Sequence, residues 1–429
     1  MLTAVFTGLA AAFLSMARLW LGNPSAPTEV LWAEDGLFPL CIHKADAWTC
    51  LTDPFAGYLL FLPRVLAWPV SWLPWEYWAT ATNVLAAVLV GLTALVAVRV
   101  MRRAGMSGFV AVAVGLLPAL APMVGLEAIN ALGSSYMLLL FLSTLVIAFP
   151  SGPHPSRVAL WSTALLLLVT ALTIPSAVVL LFLVAVMSLR KAVSRTQGLI
   201  WIGTLVLGLA AQLMVAISAQ TPRPVDFSGA TVTAWADAVP TSILTYWPGL
   251  SLGEYSFFTN FTLQPLWFTG WLVVALLAVT GLWLCIRGRD SRLGIGVLVV
   301  AGLGLGLIPT AIGYANNRYF VVPLLLWGAA LLVSLDPIIR RSRPWVIAVV
   351  TASVLLVWWP AFPASDFRST PAPEWSSETA RIEAKCVADP GFVDRPLFTP
   401  FWPPNWGDGL TEPTHPNLPC TVAWRWIDG

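Results

Sequence analysis

The sequence predicts an all-α polytopic membrane protein with about 11 transmembrane helices. Of its 429 residues, 58% are hydrophobic and 10% are charged, and the mean hydropathy is +0.79. A soluble chain carries roughly 25% charged residues, so most of this exterior must face lipid. The chain has no basic clusters or nucleic-acid motifs, which leaves a nucleic-acid partner without support.

Apolar runs that are long enough to cross a bilayer, about 17–25 residues, set the helix count. They lie near 3–21, 79–99, 107–125, 134–149, 158–173, 175–189, 198–218, 264–286, 293–312, 319–335 and 345–362. Only Thr173-Ile174-Pro175 separates the fifth run from the sixth. No basic region precedes the first run, so we expect a retained helix rather than a cleaved signal peptide.

The distribution of Lys and Arg gives the orientation. With a cytoplasmic N-terminus, more than half of the 23 basic residues fall in short inner links, but only Asp290 and Asp336 of the 21 acidic residues do. The inner basic residues are Arg99, Arg102, Arg103, Arg157, Arg190, Lys191, Arg195, Arg287, Arg289, Arg292, Arg340, Arg341 and Arg343. We therefore expect a multi-pass plasma-membrane protein with an extracytoplasmic C-terminus.

Three outer segments are long: 22–78, 219–263 and 363–429. We expect a transmembrane domain over 1–362 and a small extracytoplasmic domain over 363–429. Aromatic residues in this tail suit either a folded core or a glycan-binding surface, and the 219–263 loop suits an acceptor-binding flap.

The cysteines agree with this arrangement. Cys41 and Cys50 share the first outer loop, Cys386 and Cys420 share the tail, and Cys285 is alone in an apolar run. In an oxidising compartment this predicts two local disulfides and one buried thiol; the alternative is four free thiols.

The first outer loop contains the acidic motif Trp32-Ala33-Glu34-Asp35-Gly36. Neighbouring carboxylates can separate their pKa values, which leaves one of them able to take a proton from a sugar hydroxyl. The alternative is a pair of solvated turn residues. Between this motif and the second run, a Trp-rich stretch that includes Arg64 predicts a helix along the outer membrane interface.

A retained first helix, an acidic pair in a large first outer loop and an interfacial helix together resemble the GT-C superfamily, membrane glycosyltransferases that use polyprenyl-phosphate sugars. The resemblance implies that Asp35 is the general base and that Glu34 orients the acceptor or polarises its partner. It leaves open which carboxylate is the base and whether Mg²⁺ or Mn²⁺ binds near the pair.

Two further motifs support the resemblance. In Gly125-Leu126-Glu127-Ala128-Ile129-Asn130, the spacing of Glu127 and Asn130 places both on one helix face, where they could bind sugar hydroxyls; a plain helix end is the alternative. In Asn316-Asn317-Arg318-Tyr319-Phe320, the guanidinium of Arg318 suits the donor phosphate, and ordinary lipid phosphate is the alternative ligand.

The other candidate site residues are weaker. Arg18 and Arg64 could help to hold the donor phosphate, although anchoring at the interface explains either one, and Arg18 could instead pair with Glu29 or the acidic motif. Tyr58 and Tyr319 are candidate sugar or acceptor contacts.

The sequence thus predicts an inverting transfer of a sugar from a polyprenyl-phosphate donor to an extracytoplasmic glycan, lipid or protein. Asp35→Asn should abolish the transfer and leave folding intact. A transporter, a lipid-linked glycan flippase or polymerase, and a membrane acyltransferase are the alternatives. The chain has no convincing internal repeat, which a transporter would usually show, and its three histidines are scattered.

Overall fold

The computed structural model describes residues 1–31, 33–44, 47–52, 54, 57–122, 130–152, 155–218, 264–311, 317–363, 374–389, 393–394 and 418–419. This part of the chain is predominantly helical. Its α-helices are α1 (Leu2–Gly22), α2 (Leu37–Lys44), α3 (Ala47–Thr52), α4 (Phe61–Val70), α5 (Trp78–Arg103), α6 (Gly108–Leu120), α7 (Ser135–Ala148), α8 (Arg157–Thr173), α9 (Val178–Leu189), α10 (Arg195–Ser218), α11 (Gln264–Arg287), α12 (Ser291–Ala311), α13 (Val321–Arg341), α14 (Pro344–Trp358) and α15 (Trp375–Ala388). Every predicted apolar run coincides with one helix, either α1 or one of α5 to α14.

Local chemistry sets several helix boundaries. The Ser107 and Ser156 hydroxyls each accept a backbone N–H from the first turn of the helix that follows, α6 and α8, as N-caps do. Helix α8 ends at Thr173 and a 3₁₀ turn over Pro175–Ala177 leads into α9, because the proline lacks an N–H to continue the helix. The break that the sequence predicts is confirmed.

Among the residues that the structure describes, four helical stretches are long and apolar enough to cross a membrane: α1, Trp75–Arg103, α10 and α13. The described parts of the other predicted spans form apolar helices of 10–17 residues. Large apolar side chains such as Phe13, Leu213 and Leu356 are exposed on the outside of the bundle, which suits lipid rather than water. The full count of 11 spans stays a prediction.

Helices α1 and α5 pack closely through two glycines. A Cβ atom added to Gly8 would lie 2.8 Å from the Gly91 carbonyl oxygen, and one added to Gly91 would lie 2.8 Å from the Gly8 carbonyl oxygen. Small residues allow this approach of two backbones, which is a common basis of helix association in membranes.

The helix bundle has two ends, which are called the Arg340 end and the Asp35 end after a residue of each. At the Arg340 end, Asp336 of α13 accepts hydrogen bonds from the Ser107 backbone N–H (3.0 Å) and from Arg340 Nε (2.7 Å), and Arg340 also donates to the Gly105 carbonyl. The Asp35 end holds the last turn of α1, the first turns of α5 and α7, and α15. Asp336 and Arg340 therefore contact the connection between α5 and α6, which the sequence predicts for the same side of the membrane. Which end faces the cytoplasm stays a prediction.

The C-terminal segment contributes α15 and one antiparallel pair of short strands, β1 (Val393–Asp394) and β2 (Leu418–Pro419). Cys386 of α15 is buried and disulfide-bonded, and its predicted partner Cys420 lies outside the described residues. Cys285 of α11 is a buried free thiol, as the sequence predicts.

Candidate functional site

A disulfide joins the short helices of the first loop. Cys41 of α2 and Cys50 of α3 are bonded, which confirms the prediction. Arg64 of α4 is buried, donates from its guanidinium to the Cys50 carbonyl, and lies 6.0 Å from the centroid of the Phe38 ring. These contacts hold α2, α3 and α4 together next to the acidic motif.

Asp35 lies in the 3₁₀ turn Ala33–Gly36, directly before α2. Its side chain is only 1% exposed, which rules out the solvated turn residue that the sequence left as an alternative. Asp35 Oδ2 accepts the backbone N–H of Leu132 at 3.0 Å and Oδ1 accepts that of Gly133 at 2.6 Å. Both N–H groups immediately precede α7, where the helix dipole also favours a negative charge. Asp35 therefore ties the first loop to the connection between α6 and α7.

Asn130 ties the same connection to α1. Its Oδ1 accepts the Ser15 hydroxyl at 2.6 Å, and its Nδ2 donates to the Ser15 carbonyl at 3.1 Å. The side chain is buried and the backbone φ is 44°, which is left-handed. The helical face that the sequence predicts for Glu127 and Asn130 is therefore wrong at Asn130. Helix α6 has already ended at Leu120, because Pro122 cannot continue it.

Arg18 is fully buried near the end of α1. It donates to the carbonyls of Ala119 (3.1 Å), Ala121 (3.0 Å) and Pro122 (3.4 Å), which belong to the end of α6, where carbonyls lack intrahelical partners. Its guanidinium also lies 5.0 Å from the centroid of the Phe362 ring. Arg18 therefore joins α1, the end of α6 and the chain after α14. With 0% exposure, it does not reach out to a lipid headgroup.

The two predicted tyrosines, Tyr58 and Tyr319, each share a set of neighbours with Tyr136. Tyr58 and Tyr136 both pack against the cluster of Phe38, Leu60 and Ala67. Tyr319 and Tyr136 line a small cavity of about 30 Å³ where α7, the break between α8 and α9, α12 and the start of α13 meet. Its other lining residues are Leu140, Ile174, Ser176, Leu305 and Val322. Tyr136 is in the first turn of α7, so this cavity is lined by the helix that the Asp35-binding N–H groups precede.

Three polar side chains to which the sequence assigns no role in the site position the first loop. Gln212 of α10 accepts the Leu59 N–H at 2.9 Å and donates to the Leu172 carbonyl at 2.7 Å. The Thr173 hydroxyl accepts the Leu62 N–H at 3.1 Å. Asn83 of α5 donates to carbonyls of the segment before the acidic motif. An isolated amide or hydroxyl within an apolar run is the signal that could have found them, because such groups are costly without partners.

Several predicted site residues lie outside what the structure describes. For Glu34 and Arg318 only the backbone is described, and Glu127 and the 219–263 loop are outside the described residues. Within the described part, no group of three or more His, Cys, Asp or Glu side chains could hold a metal ion. Asp35 contributes one carboxylate to the predicted Mg²⁺ or Mn²⁺ site, and the Glu34 side chain that would complete it is not described, so this metal site stays a prediction.

In comparisons with known proteins, no family model matches the chain and no curated protein is similar to it in sequence.

Proposed function

We propose that the protein is an integral membrane glycosyltransferase that uses a polyprenyl-phosphate sugar donor and an extracytoplasmic glycan, lipid or protein acceptor. The contact between Asp35 and Gly133 carries this proposal. It joins the acidic motif to the connection that bears the second motif, at one end of a bundle of apolar helices. A lipid-linked sugar and a polar acceptor can meet only at such an end, because the sugar stays in water while its lipid stays in the bilayer.

Asp35 is the proposed general base. Its two hydrogen bonds to backbone N–H groups hold the carboxylate in one orientation, and a carboxylate can accept roughly four hydrogen bonds, so these two do not prevent it from accepting a substrate hydroxyl. Asp35 would remove the acceptor hydroxyl proton as that oxygen attacks the anomeric carbon. The bond from this carbon to the phosphate oxygen breaks at the same time, and polyprenyl phosphate leaves with the electron pair, which inverts the anomeric centre.

Arg318 is the proposed ligand of the donor phosphate. It precedes Tyr319, whose side chain lines the cavity next to α7, and a guanidinium binds phosphate through two parallel hydrogen bonds. Arg18 and Arg64 already donate to backbone carbonyls, so we assign them the support of the site. Tyr319 and Tyr136, which line this cavity, are the proposed contacts of the sugar or the acceptor.

The direct test is sugar transfer by the purified full-length protein in lipid nanodiscs, with a panel of radiolabelled polyprenyl-phosphate sugars and an acceptor-containing envelope extract. We expect transfer from at least one donor, and a raised KM for that donor in Arg318→Ala. Arg341→Ala, which changes an exposed arginine of the opposite end, is the matched control and should behave like the wild type. Absence of transfer with every donor, together with solute uptake or lipid flipping in proteoliposomes, would favour the transport alternatives.

A further inference from the structure

Helix α15 begins on the first loop. The Glu29 carbonyl accepts the Trp375 backbone N–H at 2.7 Å, and Glu29 Oε2 accepts the Ser376 N–H at 3.2 Å. The first N–H groups of a helix have no partner within that helix. Glu29 therefore caps α15, although 347 positions separate it from Ser376.

Three buried tryptophans, Trp75, Trp78 and Trp375, stabilise this contact. The Trp375 ring stacks on Trp78, with centroids 6.3 Å apart, and meets the edge of Trp75 at 6.5 Å. Trp375 Nε1 donates to the Trp75 carbonyl at 2.6 Å, and Trp75 Nε1 donates to Glu383 of α15 at 3.0 Å. All three rings are buried. Trp78 Nε1 donates to the Leu73 carbonyl at 3.0 Å, so each indole N–H has the partner that a buried tryptophan needs.

The segment that contacts α15, residues 29–31, leads directly into the acidic motif. Leu31 is buried in the same cluster as Trp75, Trp78 and Trp375. Asn83 of α5 also donates to the carbonyls of Thr28 (3.2 Å) and Val30 (3.1 Å). The chain just before Asp35 thus contacts both α5 and α15, while the Asp35 carboxylate accepts the N–H groups that precede α7.

We propose that α15 is a clamp that positions Asp35, and that Trp375 is its positioning residue. The C-terminal segment is then part of the site and not an independent domain. Cys386 lies in the same buried cluster, and its disulfide bond fastens the far end of the helix. The effect of the clamp on catalysis rests on the proposed function, whereas its effect on the order of the first loop does not.

The test compares Trp375→Ala, Trp375→Phe and Trp72→Ala in the full-length protein in nanodiscs. Trp72 is a tryptophan of the same loop that is 72% exposed, which makes its variant the matched control. Hydrogen exchange by mass spectrometry reports the order of residues 28–36, and transfer kinetics report the reaction. Peptides from the Arg340 end, around Ser107, show whether the bundle remains folded.

In Trp375→Ala we expect exchange in residues 28–36 to accelerate about tenfold or more, exchange around Ser107 to stay unchanged, and kcat to fall with little change in the donor KM. Trp375→Phe retains a ring to stack on Trp78 and should recover most of the slow exchange and most of kcat. Trp72→Ala should match the wild type.

Unchanged exchange in residues 28–36 of Trp375→Ala would overturn the clamp. Faster exchange with an unchanged kcat would overturn the positioning of Asp35. Faster exchange in a protein whose wild type transfers no sugar would leave the clamp standing and remove the proposed function.

Discussion

Asp35 Oδ1 accepts a hydrogen bond from the backbone N–H of Gly133 at 2.6 Å. The second carboxylate oxygen accepts the neighbouring N–H of Leu132, so one buried side chain joins the first loop to the start of α7. Asp35 therefore has a structural role as well as the catalytic role that we propose.

The sequence predicts that Asp35→Asn leaves folding intact, but the two buried hydrogen bonds of Asp35 change this expectation: the variant should lose stability as well as transfer. An amide has one oxygen, and its NH₂ group would face a backbone N–H donor, which leaves a buried N–H without an acceptor. The expected cost is about 1–3 kcal/mol in the free energy of unfolding. Denaturant unfolding of the purified variant measures this cost, with Asp290→Asn, an exposed acid elsewhere in the chain, as the control. Wild-type stability would show that the two hydrogen bonds contribute nothing, and wild-type transfer would remove Asp35 as the base.

The sequence alone could predict the elements that depend on local chemistry. The apolar runs predicted the positions of α1 and α5 to α14, Pro175 predicted the break after α8, and the spacing of Cys41 and Cys50 predicted their disulfide. Each depends on residues close to one another in the chain, where hydropathy, a missing N–H or a short loop closure decides the outcome.

The partners of the site residues could not be predicted, because they come from distant parts of the chain. For Asp35 the sequence left open a general base and a solvated turn residue, and it could not predict that the carboxylate is buried against the N–H groups before α7. For Arg18 the sequence suggested an acid or lipid phosphate as a partner, but it could not predict the carbonyls at the end of α6 that the fold brings to this side chain. The partner of Asn130, Ser15 of α1, is likewise 115 positions away in the chain.

Two substitutions at Asn130 should separate the contributions of its side chain and of its backbone conformation to the stability of the protein. Asn130→Ala and Asn130→Gly both remove the amide that binds Ser15, so each should cost about 1–3 kcal/mol of unfolding free energy. Alanine is strained at a φ of 44° and glycine is not, so the alanine variant should be less stable by about a further 1–2 kcal/mol. Denaturant unfolding of the two proteins side by side gives the difference. Equal stabilities would mean that the left-handed backbone at this position relaxes in the variants.

The cysteines should divide into one free thiol and two disulfides. The structure bonds Cys41 to Cys50 and leaves Cys285 free, Cys386 is disulfide-bonded, and the sequence predicts Cys420 as its partner. Alkylation of the unfolded protein without a reductant should therefore label Cys285 alone, as read by peptide mass spectrometry. Prior reduction should expose all 5 cysteines and serves as the control. Labelling of Cys420 without a reductant would contradict the predicted pair.

The close contact between α1 and α5 should tolerate no added methyl group. In Gly8→Ala or Gly91→Ala the new Cβ would start 2.8 Å from the carbonyl oxygen of the opposite helix, so the helices must separate, at an expected cost of about 1–3 kcal/mol. Gly203 of α10 is the matched control, because no atom lies within 4 Å of its added Cβ. Gly203→Ala should be neutral or stabilising by up to about 1 kcal/mol, since alanine favours a helix more than glycine does.

The double variant Gly8→Ala/Gly91→Ala should lose less stability than the sum of the two single variants, because the first methyl group already separates the backbones. Thermal unfolding of the four variants in one detergent gives the comparison, and an equal effect of alanine at Gly8 and Gly203 would contradict the close packing of α1 on α5.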